Sequence, residues 1–383
     1  MPSLAETTAL LAHLKRQTAE AARAVSPGDD SLVETDFAPN PGALRMLSYV
    51  PSTLGPRAPL VVALHGCTQT AAAYARTAGW LTLADRCGFA VLAPEQSTSN
   101  NPNRCFNWFD PKDARRDDGE AASIRAMVAH AVREHGLDPR RVFVTGLSAG
   151  GAMTAALLAS YPDVFAGGAI IAGLPYGVAE TMQSALMAMY SAQARSAAEL
   201  GDLVRRAGPG TARPPRVSIW HGDADAMVKV SNAGESEKQW TAVHGLPAAP
   251  SRTEDLPGRR RLSWLSPETG QVLVESNILH GMGHGTPLAT QGPEGLGAVA
   301  PFMLEAGVSS TLEIARFWGI DQPASATVTN GPGPAHSGPE TNAQPRRAFV
   351  KLGDQVMASV AQHAPVDVNA VITRALKAAG LKR

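Results

Sequence analysis

Three short segments of this 383-residue chain carry side chains whose types and order suit nucleophilic acyl transfer. The first is Gly146-Leu147-Ser148-Ala149-Gly150, which follows the run Val142-Phe143-Val144-Thr145 and precedes an alanine-rich helical stretch over 152–160. Strand, Gly-x-Ser-x-Gly turn and helix together stand a serine hydroxyl clear of the backbone, because the glycines let the chain reverse sharply. The second is His221-Gly222-Asp223-Ala224-Asp225, just past an apolar strand over 217–220. The third is Gly281-Met282-Gly283-His284-Gly285, past another over 272–279. Serine is a weak nucleophile until a base takes its proton, and a histidine base needs a carboxylate to hold its tautomer. Ser148, Asp225 and His284 supply the three in that chain order. A lone Gly-x-Ser-x-Gly means little among 36 glycines. Three pieces in order, each just past a strand, mean more.

Competitors for each role sort by context. The His-Gly-x-x-Asp spacing selects Asp225, with Asp223 as a turn-stabilising neighbour and Val228 packing back to fix the loop. His13, His130, His135, His244, His336 and His363 fall in helical or linker contexts and read as surface residues. His65 and His221 read as turn-shaping, and His280, at a strand end, as a packing residue. The developing oxyanion needs backbone N–H donors. Ala149, at a helix start, offers one, and Cys67, in the turn His65-Gly66-Cys67-Thr68-Gln69, the second. Gln69 reads as a brace for that loop or a polar contact for substrate. Trp108 and Phe109, in a polar loop over 98–116, read equally as a satellite core or as a wall of the acyl pocket.

The elements that must position these residues follow from the apolar pattern. Unalternating runs over 60–64, 89–92, 141–145, 165–171 and 217–220 suit strands buried on both faces of a parallel sheet, with an earlier strand over 43–50. Helical segments over 71–86, 119–135, 152–160 and 231–244 alternate with them, which is the α/β signature. The serine–acid–histidine order narrows this to an α/β-hydrolase fold, a mostly parallel sheet with helices on both faces. An alanine- and methionine-rich stretch over 178–207 reads as an ordinary connecting helix rather than a cap, since Met and Leu stripes usually pack inward. The domain reading is an N-terminal amphipathic helix and connector over 1–40, a catalytic domain over 41–320, a Pro/Gly-rich linker over 321–346 and a short helical tail over 347–383.

Composition excludes other classes. A formal net charge of zero gives no basic field for nucleic acid, and no apolar run reaches the length of a transmembrane helix. The three cysteines form no disulfide framework and match no zinc spacing. Cys87 reads as a small buried residue, while a single bridge between Cys67 and Cys105, which flank the expected site, stays open. The first 24 residues lack the basic start and apolar core of a secretory signal, so a cytoplasmic location is expected, with an exported protein as the alternative.

Several segments together resemble the poly(3-hydroxybutyrate) depolymerase family, in its type 1 catalytic domain, which is related to feruloyl and acetylxylan esterases. They are Leu64-His65-Gly66-Cys67-Thr68-Gln69, Pro94-Glu95-Gln96, Asn103-Arg104-Cys105-Phe106-Asn107-Trp108-Phe109, Gly146 to Met153, and Gly281 to Pro287. The resemblance implies an α/β-hydrolase fold with no metal or organic cofactor. It implies Ser148, Asp225 and His284 as triad, Cys67 and Ala149 as oxyanion donors, and a Cys67–Cys105 bridge as in secreted members. Secreted members carry a signal peptide and a C-terminal substrate-binding domain. This chain resembles the intracellular members instead, which act on amorphous polymer in storage granules. The expected function is therefore a serine esterase acting on short-chain poly(3-hydroxyalkanoate) or its oligomers, in contact with a granule surface through its tail. The alternatives are a feruloyl or acetylxylan esterase, a broad short-chain carboxylesterase, and, more distantly, a non-catalytic granule protein.

Overall fold

The computed structural model describes residues 31–322 apart from Gln193 and Thr211. The expected N-terminal helix, the linker beyond Gln322 and the helical tail lie outside the described residues. The strands are β1 (Val33–Thr35), β2 (Arg45–Tyr49), β3 (Leu60–Leu64), β4 (Ala90–Glu95), β5 (Val142–Leu147), β6 (Gly167–Ile171), β7 (Arg216–Gly222), β8 (Arg252–Leu256), β9 (Arg259–Leu265), β10 (Val272–Leu279), β11 (Thr286–Leu288) and β12 (Met303–Glu305). The first ten form one sheet in the order β1-β2-β4-β3-β5-β6-β7-β10-β9-β8. From β4 through β10 every neighbouring pair is parallel, and antiparallel strands flank this block on both sides. This is the α/β-hydrolase architecture.

The parallel strands sit where their apolar runs require. Leu60, Val62 and Leu64 of β3 enter one core, and Val61 and Ala63 enter the core on the opposite face. A strand with helices on both sides has no solvent face, so its sequence does not alternate. The covering helices are α1 (Ala71–Thr77), α2 (Trp80–Cys87), α3 (Pro111–Ala114), α4 (Gly119–His135), α5 (Ala149–Ser160), α6 (Met182–Tyr190), α7 (Ala197–Ala207), α8 (Ser231–Val243) and α9 (Ser310–Trp318).

Several expectations need correction. The helix expected over 71–86 is two helices, broken at Gly79, whose φ of 88° is left-handed and whose Cβ would lie 2.9 Å from the backbone nitrogen of Gly297. Residues 33–35, read as connector, pair with β2 as an edge strand. The β8–β9 hairpin was not expected, because its strands are charged; Glu254–Arg261 and Asp255–Arg260 pairs hold it across the strands. The 178–207 stretch is two helices, and on α6 two of the three methionines do not pack inward: Met182 and Met187 are exposed, while Ala185 and Ala188 are buried and Met189 packs beside them. Cys87 is only half-buried. His244 is also half-buried, with Nε2 at 2.9 Å from the Pro215 carbonyl, and His130 and His135 are likewise not fully exposed.

Candidate active site

Strands β5, β7 and β10 run parallel, so their carboxyl ends deliver Ser148, the Asp223–Asp225 turn and His284 to one edge of the sheet. Ser148 sits at φ 57° and ψ −114° at the head of α5, a left-handed conformation that a non-glycine residue holds at a cost. Its N–H is tied to the Ile171 carbonyl at 2.9 Å. The flanking glycines are there because nothing larger fits. A Cβ on Gly146 would lie 2.5 Å from the Gly150 backbone, and one on Gly150 would lie 2.4 Å from the Leu64 carbonyl oxygen. The serine turn is thereby locked against the end of β3, where the His65–Gln69 turn begins. Helix α5 starts at Ala149, three residues earlier than the alanine-rich stretch alone predicts.

Asp225 is fully buried and holds His284 through a 2.7 Å bond between Oδ2 and Nδ1. Its other oxygen accepts the N–H groups of Met227 at 2.8 Å and Val228 at 2.9 Å. His221 Nε2 donates to the Val228 carbonyl at 2.8 Å and lies 3.4 Å from Asp225 Oδ2. Burial disfavours the charge on Asp225, but the hydrogen bonds from His221 and His284, with the backbone N–H, outweigh it. The carboxylate is held well below the usual range and stays ionised.

Asp223 has a different task. It accepts from Gly281 N–H at 2.7 Å and pairs with His280 at 3.1 Å, while its own N–H reaches the Leu279 carbonyl. It straps the acid turn to the histidine loop. His280 therefore is not the packing residue its strand-end position suggests; it is exposed and hydrogen-bonded to Asp223.

Around Cys67, neighbouring N–H groups are taken: Gly66 donates to Gln69 Oε1 at 2.8 Å and Thr68 to the Asn103 carbonyl at 2.7 Å. Ser148 N–H is also used. Among the described residues, the N–H groups of Cys67 and Ala149 have no partner within the protein. Gln69 thus braces the turn, and its Nε2 reaches on to the Pro301 carbonyl at 3.4 Å. Cys67 is joined to Cys105 by a disulfide, which fixes this turn to the 101–109 loop. His65 is buried, with Nδ1 donating to the Gly66 carbonyl and Nε2 accepting from Gln96 N–H. Burial lowers its pKa, so it is a neutral brace, as its turn position suggests.

One buried carboxylate was missed. Glu120, in the first turn of α4, accepts Asn107 N–H at 2.9 Å, Asn107 Nδ2 at 2.8 Å and Gln96 Nε2, which also reaches the Cys105 carbonyl. It anchors the loop that carries Cys105, Trp108 and Phe109. An acid in a first helical turn was visible in the sequence, but its long-range partners were not. Burial and nearby Asp113 push its pKa up to about 8. The folded state therefore holds a proton that the unfolded chain releases near the ordinary value. Stability tied to Glu120 is complete below about pH 4.5 and is lost as pH rises toward 8. Unfolding free energies from urea titrations should fall across that window by up to ~1.4 kcal/mol per pH unit in wild type and by less in Glu120→Gln. Equal slopes in both would show that Glu120 does not titrate there.

Trp108 stacks edge-to-face on Phe109 at 5.7 Å and packs against a small cluster that includes Ala152, Leu174, Ala188 and Val228. The satellite core is thus present. Ala152 is one turn beyond Ser148, and Val228 donates to Asp225, so the cluster backs the site directly. On its other side, Trp108 and Phe109 line a cavity of about 470 Å³ with Tyr176, Leu203 and Arg206.

This fold and site define a carboxylic ester hydrolase of the α/β-hydrolase type, and comparison with known proteins agrees. The family model described as "Esterase PHB depolymerase" matches residues 45–255, and the chain belongs to that family. It is 44% identical over 288 residues to Poly(3-hydroxyalkanoate) depolymerase C of Paucimonas lemoignei, an alignment covering 75% of this chain and 69% of that protein. It is 38% identical over 257 residues to an acetylxylan esterase of Coprinopsis cinerea, covering 66% and 68%. The solved acetyl xylan esterase from Aspergillus awamori superposes with a TM-score of 0.63 at 25% identity, covering 76% of this chain and 99% of that one. No helix among the described residues is long and apolar enough to cross a membrane.

Proposed function

We propose that the chain hydrolyses short-chain poly(3-hydroxyalkanoate), chiefly poly(3-hydroxybutyrate) or its oligomers, through Ser148, His284 and Asp225. The observation that carries the substrate is the 44% identity to a protein named as a poly(3-hydroxyalkanoate) depolymerase. Asp225 keeps the proton of His284 on Nδ1, leaving Nε2 to accept the Ser148 proton as Oγ bonds to the ester carbonyl carbon. The free N–H groups of Cys67 and Ala149 receive the oxyanion. His284 returns the proton to the departing hydroxyl as the ester C–O bond breaks. Water then adds to the acyl-serine by the same route, releasing the 3-hydroxy acid and restoring Ser148. Trp108 and Phe109 support an apolar wall for the acyl chain.

A second reading keeps the chemistry and changes the substrate, because the relatives include acetylxylan esterases. Purified enzyme is expected to release 3-hydroxybutyrate and its oligomers from amorphous polymer, with Ser148→Ala as blank. Turnover of acetylated xylan or methyl ferulate without polymer release would transfer the assignment to that branch. Whether polymer is met in a granule or outside the cell bears on the disulfide. A Cys67–Cys105 bridge supports the exported alternative over the cytoplasmic one, since cytosolic thiols are kept reduced. Alkylation of the enzyme in its native compartment is expected to label Cys87 alone; labelling of all three cysteines would return it to the cytoplasm.

A further inference from the structure

Helix α6 presents most of its larger apolar side chains outward, Met189 alone packing toward the core cluster. At 100° per residue, Ala185 and Ala188 share the buried side, while Met182, Leu186, Tyr190 and Met187 fan across the opposite arc. Met182 is 52% and Met187 58% exposed, and Leu186, Met189 and Tyr190 are partly so. Other exposed large apolar residues among those described, Val33, Val50 and Val299, lie on separate elements. From Thr181 through Ala194 the sequence has no charged residue; charge resumes at Glu180 and Arg195. The helix is also built into the site. Ala188 packs with Ala152 and Val228, the Met189 carbonyl accepts Lys229 N–H at 2.8 Å, and the Ala188 carbonyl accepts Asn232 Nδ2 at 3.0 Å.

We propose that the outer face of α6 rests on the surface of the water-insoluble polyester while the adjacent site draws a chain from it. This rests on the substrate reading above. Three observations favour that occupant. A nine-residue helix is about 14 Å long and ~10 Å across, a footprint of ~140 Å², far below the ~800 Å² per partner of a stable dimer. The segment lacks the Lys and Arg that interfacial helices use on anionic lipid. A neutral polymer of alkyl and ester groups offers nothing for charges to pair with, and methionines adapt to an irregular surface. A contact this small suffices because the active site holds the same surface, which raises the effective concentration of the second contact.

The test uses the full chain, with the double variant Met182→Gln/Met187→Gln made in wild type and in Ser148→Ala. Adsorption of the Ser148→Ala proteins to amorphous poly(3-hydroxybutyrate) particles should fall about ten-fold in the double variant, by loss of two apolar contacts. Product release at low particle load should fall in parallel, with kcat/KM on p-nitrophenyl butyrate unchanged within about two-fold. Unchanged adsorption and release would overturn the proposal. So would a parallel loss on the soluble ester, which would make α6 a support for the acid loop. A wild-type dimer that the substitutions dissociate would assign the face to a second copy. Adsorption to anionic phosphatidylserine vesicles, lost in the double variant, would assign it to lipid. Failure of wild type itself to release product from polymer, with soluble ester turned over, would sink the substrate reading rather than this face alone.

Discussion

Ser148→Ala is expected to lower kcat on p-nitrophenyl butyrate by about a million-fold, the loss typical of deleting the nucleophile of a triad that works as a unit. What remains should be the small acceleration from the oxyanion donors and substrate binding. The fold should barely notice. Residue 148 keeps φ at 57° because its N–H is bonded to the Ile171 carbonyl and the flanking glycines are wedged against Gly150 and Leu64. Alanine has the same Cβ as serine, so the strain is unchanged and the unfolding midpoint should hold. Ser148→Gly removes the Cβ and is expected to stabilise by ~1 kcal/mol while also abolishing turnover. That pairing separates loss of chemistry from loss of structure. If Ser148→Ala kept more than about 1% of wild-type kcat, Ser148 would not be the nucleophile.

What the sequence made legible is what short-range physics determines. The serine turn announced itself because both flanking positions are glycine and both flanking runs are apolar. The strands of the parallel block were visible because burial on two faces leaves no alternation to obscure them. Spacing selects Asp225 over Asp223, and it is Asp225 whose Oδ2 lies 2.7 Å from His284 Nδ1, while Asp223 is engaged by Gly281 and His280.

Other features depend on partners far along the chain. Nothing local distinguishes Glu120 from any acid in a first helical turn; its role comes from Gln96 and Asn107, 24 and 13 residues away. The β8–β9 hairpin is charged where β8 forms the sheet edge and β9 lies next to it, so the apolar criterion passed over it, although Pro257-Gly258 was a turn signal. Helix α6 defeated the usual rule for a related reason. An uncharged helix carries no polar face to say which side meets water, and small alanines let it seat closely on the acid loop while Met182 and Met187 point away.

Asp225→Asn should lower kcat by about ten thousand-fold without disturbing the fold. The loss follows from which atom an asparagine would place where. Asp225 Oδ1 accepts two backbone N–H groups, from Met227 and Val228, so the amide oxygen of asparagine must occupy that position. The amide nitrogen then replaces Oδ2, 2.7 Å from His284 Nδ1. A donor there requires Nδ1 to accept, which moves the imidazole proton to Nε2. That nitrogen can no longer take a proton from Ser148, and the residue is present, ordered and in the wrong tautomer. Turning the amide over would instead set its NH2 against the Met227 and Val228 N–H donors, so rotation gains nothing. Asp225→Ala differs in kind: Met227 and Val228 would lose their acceptor in a buried turn, and stability should fall by about 1–3 kcal/mol per unpaired N–H along with activity. A variant inactive as asparagine yet as stable as wild type, and less stable as alanine, is the expected pattern. Near-normal turnover in Asp225→Asn would mean that some other group orients His284.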